Sequence, residues 1–128
     1  MAATGSGYLI PEPSLIAGDA TVVEHAAGAT LTASSFKKIH TNTGDGDSQE
    51  NVLPAAADVA GECIRFVCTA AFDIVVAPAS GEKIWSHGSG TADEKLTIAG
   101  ALGAYADIYS DGVDYLVFDS NGILTKAA

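Results

Sequence analysis

Apolar and polar residues alternate in short runs along most of this chain, and no stretch carries the 3.6-residue apolar period of a helix. Thr21-Val22-Val23-Glu24 and Thr30-Leu31-Thr32 are brief and β-branched, and Lys38-Ile39-His40-Thr41-Asn42 alternates with period two. The strongest strand pattern is Cys63-Ile64-Arg65-Phe66-Val67-Cys68, opened by Gly61. The spacing predicts a hairpin between it and Phe72-Asp73-Ile74-Val75-Val76, which Pro78 ends, with Asp73 turned to solvent. Lys83-Ile84-Trp85 and Lys95-Leu96-Thr97-Ile98 follow. Tyr105-Ala106-Asp107-Ile108-Tyr109 and Tyr115-Leu116-Val117-Phe118 flank Asp111-Gly112, a dipeptide suited to the positive φ of a hairpin turn. Asn121-Gly122 marks one more turn before Ile123-Leu124-Thr125. Residues 55–60 have room for one helical turn, which Gly61 stops.

Short strands at this spacing imply an all-β fold: a sandwich, jelly roll or small barrel of antiparallel strands. Residues 1–20 have no such period. Their apolar patch Tyr8-Leu9-Ile10 runs into Pro11-Glu12-Pro13, and proline holds its own backbone and its predecessor extended. The chain therefore divides into an extended N-terminal arm, residues 1–20, and a single β domain, residues 21–128. The arm's anchors, Tyr8, Leu9, Ile10, Pro11, Pro13, Leu15 and Ile16, are the candidate partner-binding residues.

Charge narrows the partners. The chain has 16 acidic and 6 basic residues, a formal net charge of −10. Nucleic acid is recognised through clustered Lys and Arg, and Arg65 is the only arginine here. An anionic membrane repels such a chain. No run approaches the ~20 apolar residues of a membrane span, and the first residues lack a signal-peptide pattern, so synthesis in a host cytoplasm is expected.

No catalytic, metal or cofactor motif emerges. His25, His40 and His87 stand in separate segments without metal-ligand spacing and read as surface histidines. The acidic loop Gly44-Asp45-Gly46-Asp47-Ser48 fails the calcium-loop pattern, because its sixth and twelfth positions counted from Asp45 are Glu50 and Ala56. No nucleophile elbow is present. Cys63 and Cys68 fall on opposite faces of a regular strand, too far apart for a disulfide. Tyr105 and Tyr109 share one face of the last hairpin and Ala106 and Ile108 the other; core or sheet packing is the expected role of Tyr105, Tyr109 and Tyr115, and a sugar-binding face the alternative.

Residues 39–118 resemble a pattern of small structural proteins of tailed bacteriophages. It is carried by His40-Thr41-Asn42-Thr43, Leu53-Pro54-Ala55-Ala56-Ala57, residues 61–66, residues 74–78, and Ser110-Asp111-Gly112 before Tyr115. The lack of a long repetitive shaft favours the capsid decoration, or cement, proteins among them. The resemblance implies a homotrimer on the outer surface of the virion capsid, clamping neighbouring subunits of the major capsid protein and reaching them through the arm. The alternative it leaves open is a tail-fibre or spike module that binds a host surface glycan.

Overall fold

The last hairpin is the part of the fold with the most local cause. Gly112 takes φ +94°, and Asp111 accepts backbone hydrogen bonds from Val113 and Asp114 through Oδ1, each 2.8 Å. This turn joins Tyr105–Ser110 to Tyr115–Asn121 in antiparallel register. A computed structural model describes residues 21–86 and 88–127. The arm residues Tyr8 to Leu15 and Ile16 lie outside the described residues, as does His87.

Among the described residues ten strands are numbered in chain order: β1 (Thr21–Glu24), β2 (Lys38–Thr41), β3 (Gln49–Val52), β4 (Cys63–Val67) and β5 (Ile74–Ala77). They continue with β6 (Ile84–Trp85), β7 (Lys95–Ile98), β8 (Tyr105–Ser110), β9 (Tyr115–Asn121) and β10 (Leu124–Ala127). One sheet has the order β1-β2-β4-β8-β9-β6 and the other β10-β7-β5-β3. Two 3₁₀ turns, Ala33–Ser35 and Ala56–Val59, accompany them, the second ending before Gly61 at φ +82°.

The all-β expectation holds, with one correction: both sheets are mixed. β1 with β2, β2 with β4, β3 with β5, and β6 with β9 are parallel pairs. Parallel neighbours arise because the chain repeatedly crosses between the sheets instead of turning back beside itself. The expected hairpin of β4 with β5 fails for this reason. β4 lies between β2 and β8, whereas β5 lies between β3 and β7 in the other sheet. Their alternating apolar residues, Ile64 and Phe66 against Ile74 and Val76, are all buried in one core, so the strands stack face to face.

That core closes with Leu96, Ile98, Ile108 and Tyr115. Burying each such side chain stabilises the fold by roughly 1.5–3 kcal/mol. The Tyr115 hydroxyl donates to the Pro54 carbonyl at 2.6 Å, so its one polar atom is satisfied. Neither cysteine forms a disulfide, and both are buried, Cys68 within the cluster between the two sheets. The free side of β3 is covered by residues 28–31, through Val52 N–H to Ala29 O at 2.9 Å and Leu31 N–H to Val52 O at 2.8 Å.

Candidate functional site

Residues 68–73, 99–104 and 122–123 cross between the sheets at one end of the sandwich, and so does the 42–48 loop with Asp45 and Asp47. They are tied to each other by backbone bonds. Cys68 N–H donates to Ala104 O and Gly103 N–H to Cys68 O, both at 2.8 Å, and Ala99 N–H donates to Ile123 O at 3.0 Å. Asn42, fully buried just after β2, braces the first loop with its whole amide. Its Nδ2 donates to Phe72 O at 3.0 Å and Ala70 O at 3.3 Å. Its Oδ1 accepts from Thr69 N–H at 2.8 Å and Ala70 N–H at 2.9 Å. Asp73 is half-buried, against the solvent-facing expectation, because its Oδ1 accepts Gly100 N–H at 2.8 Å. Gly100 packs so closely that a Cβ there would lie 2.6–2.8 Å from the Phe72 backbone.

From this braced end project Phe72, Leu102 and Ile123, 38%, 72% and 68% exposed. Loops held this way have little conformational freedom left to lose on binding. The opposite end carries carboxylates. Asp58, Glu62, Glu82, Asp93, Asp111 and Asp114 lie in the loops there. Several stitch those loops together: Glu82 accepts Ala56 N–H, Asp114 accepts Lys83 N–H, and Asp93 accepts Gly81 N–H. The backbone amides donating to Asp111 hold its carboxyl below the usual range.

A second surface is the outward face of the six-stranded sheet. Register places Val22, Ile39, Arg65, Asp107 and Asp119 in one row across five strands. Arg65 grips Asp107 in a fork, Nε to Oδ1 at 2.5 Å and Nη2 to Oδ2 at 2.7 Å. Its guanidinium also stands 4.6 Å from the Tyr105 ring centre. Tyr109 meets Phe118 edge to face at 6.5 Å, a cross-strand aromatic pair. Phe118 and Trp85 remain 48% and 41% exposed. An open depression of about 320 Å³ beside them is lined by Ser86, Val117, Phe118, Asp119 and Ser120. It exists because β6 pairs with β9 only at Tyr115 and Leu116, leaving that flank of β9 open farther on.

The histidines correct the surface expectation. His25 and His40 meet, His25 Nε2 lying 2.7 Å from His40 Nδ1 with the rings stacked 5.0 Å apart, and His40 is buried. His40 Nε2 is 2.7 Å from the Ser35 carbonyl, which can only accept. That assigns the neutral pair: His40 donates from Nε2, its Nδ1 is bare, and His25 Nε2–H donates to it. Burial lowers the pKa of both rings. Sequence spacing gave no hint of this pair, because 15 residues separate the two positions and only the parallel pairing of β1 with β2 joins them.

Among the described residues no group of three or more His, Cys, Asp or Glu is placed to hold a metal. In the 43–48 loop, Asp45 accepts from Asp47 N–H and Gln49 Nε2, and Asp47 from Ser48 N–H, so both carboxylates shape the loop itself. The predicted arm anchors lie outside the described residues, and the structure places none of them. The braced apolar end went unread in the sequence: Phe72 looked like a strand residue, and Asn42 like the tail of one. No protein-family model matches the chain, and no curated protein matches it either.

Proposed function

We propose that this protein is a non-catalytic virion module of a tailed phage, a decoration or cement protein that binds the outer surface of the assembled head. The observation that carries the reading is the braced end of the sandwich. Phe72, Leu102 and Ile123 stand exposed there on loops tied to one another, while Asp58, Glu62, Glu82, Asp93, Asp111 and Asp114 lie at the opposite end. Apolar side chains on preorganised loops suit burial against another protein, here the major capsid protein. An acidic far end facing solvent keeps particles apart by charge repulsion. The residue pattern shared with small phage structural proteins supports the virion context, including a homotrimer at the capsid surface.

The test is co-sedimentation with assembled heads that lack the protein. Binding is expected for the native chain and a loss of at least tenfold in occupancy for Leu102→Asp, with an unchanged circular dichroism spectrum. Equal occupancy of the variant, or no binding by the native chain, overturns the reading.

One observation favours the glycan-binding alternative: Trp85 and Phe118 are exposed beside Asp119 at the open depression. Against it, Gly90 lies directly on the indole and the Lys83 ammonium stands 5.2 Å from the ring centre, so the ring has little free face for a sugar. Affinity for a host surface glycan that is lost in Trp85→Ala would favour this reading instead.

A further inference from the structure

The loops of the braced end carry charge of one sign. Asp45 and Asp47 lie in the 42–48 loop and Asp73 closes the 68–73 loop. No Lys or Arg falls within residues 42–48, 68–73, 99–104 or 122–123. The chain's six cations, Lys37, Lys38, Arg65, Lys83, Lys95 and Lys126, all stand outside them. Nor do the ion pairs among the described residues neutralise these carboxylates, since they join Arg65 to Asp107, Lys95 to Glu50 and Lys126 to Glu94. The acidic loop shares a frame with the apolar side chains. The Thr43 and Thr69 hydroxyls bond at 2.6 Å, and Gln49 N–H donates to Asp73 O at 3.2 Å. Asn42, where the acidic loop begins, holds the carbonyls of Ala70 and Phe72.

We propose that this end fits a basic-rimmed apolar patch on the major capsid protein: apolar residues cover Phe72, Leu102 and Ile123, and Lys or Arg beside them meets Asp45 and Asp47. The inference rests on the head-binding reading and adds the chemistry of the surface bound. Charge complementarity selects that partner. Closing an apolar contact beside Asp45 and Asp47 takes water from both carboxylates, and a neutral border returns nothing for it. An acidic border repels them, and so does a second copy presenting the same end. Cations at the rim supply the missing counter-charge, speed encounter and make binding sensitive to salt.

The test separates a local rim from the overall charge of the chain. Asp47 and Asp58 are both exposed, Asp47 at the braced end and Asp58 at the opposite one. Asp47→Lys and Asp58→Lys each raise the formal charge by two, from −10 to −8. Full-length native and variant chains are co-sedimented with heads that lack the protein, from about 0.05 M to about 0.5 M NaCl. Native affinity is expected to fall as salt rises. Asp47→Lys is expected to bind roughly tenfold more weakly at low salt and to respond less to salt, whereas Asp58→Lys binds as the native chain does. Circular dichroism of both variants is expected to match the native spectrum. Equal losses in the two variants, or native binding that ignores salt, overturn this inference and leave head binding standing. A native chain that binds no heads at any salt overturns the head-binding reading and this inference with it.

Discussion

His25 and His40 show how one hydrogen bond sets a pH response. The pair accommodates one extra proton, since His40 can then donate from Nδ1 to a bare His25 Nε2. A second proton would set two N–H groups against each other at 2.7 Å. Burial lowers both folded-state pKa values below 6.5, with Lys38 adding to the effect at His40 and the Ser35 carbonyl opposing it. The sign follows. Below pH 6.5 the unfolded chain takes up protons that the folded one resists, so stability is full above that pH and falls as pH drops through it. Glu94 and Asp111, whose pKa values are lowered, give up their stabilisation only at lower pH, below about 4.5. Urea midpoints are expected to fall between pH 7.5 and pH 5, and to fall less in His25→Gln. An identical drop in that variant would remove the pair as the cause.

At the scale of elements, the crossing loops decide the fold. The 68–73 and 99–104 loops touch through Gly100, whose hydrogen atom faces the Phe72 backbone where any side chain would collide. Gly100→Ala must displace main chain, not a flexible side chain, and is expected to destabilise by about 1–3 kcal/mol. The same variant should weaken head binding by more than its stability loss explains, because it moves the loop that presents Phe72. Chemical denaturation together with co-sedimentation measures both. Binding that tracks folded fraction alone would mean that the loop's position is unimportant. The free side of β3 at the edge of its sheet is covered by residues 28–31.

Across the whole molecule, the formal charge is −10, and Phe72, Leu102 and Ile123 are exposed together at the braced end. A module that binds only the assembled shell stabilises it by mass action, by about 2.7 kcal/mol at 100 times the dissociation constant. Heads titrated with the protein should therefore melt at progressively higher temperature, while isolated capsid subunits should not. Calorimetry of both samples decides this, and an unchanged transition for the heads would argue against a cementing role.

The all-β class, the turn at Asp111-Gly112 and the short 3₁₀ turn before Gly61 were legible from sequence. Each is settled by local backbone preference or by the period of two along a strand. Alternation also separated Tyr105 and Tyr109 from Ala106 and Ile108 on the two faces of one strand. It could not say which strand lies beside which, because an inward-facing strand satisfies the same pattern in either sheet. The separation of β4 from β5, the mixed pairing, the meeting of His25 with His40 and the bracing by Asn42 arise from contacts across 15 to 30 residues. Only the packing of two sheets on one core brings such positions together, and with them the apolar end from which a function can be argued.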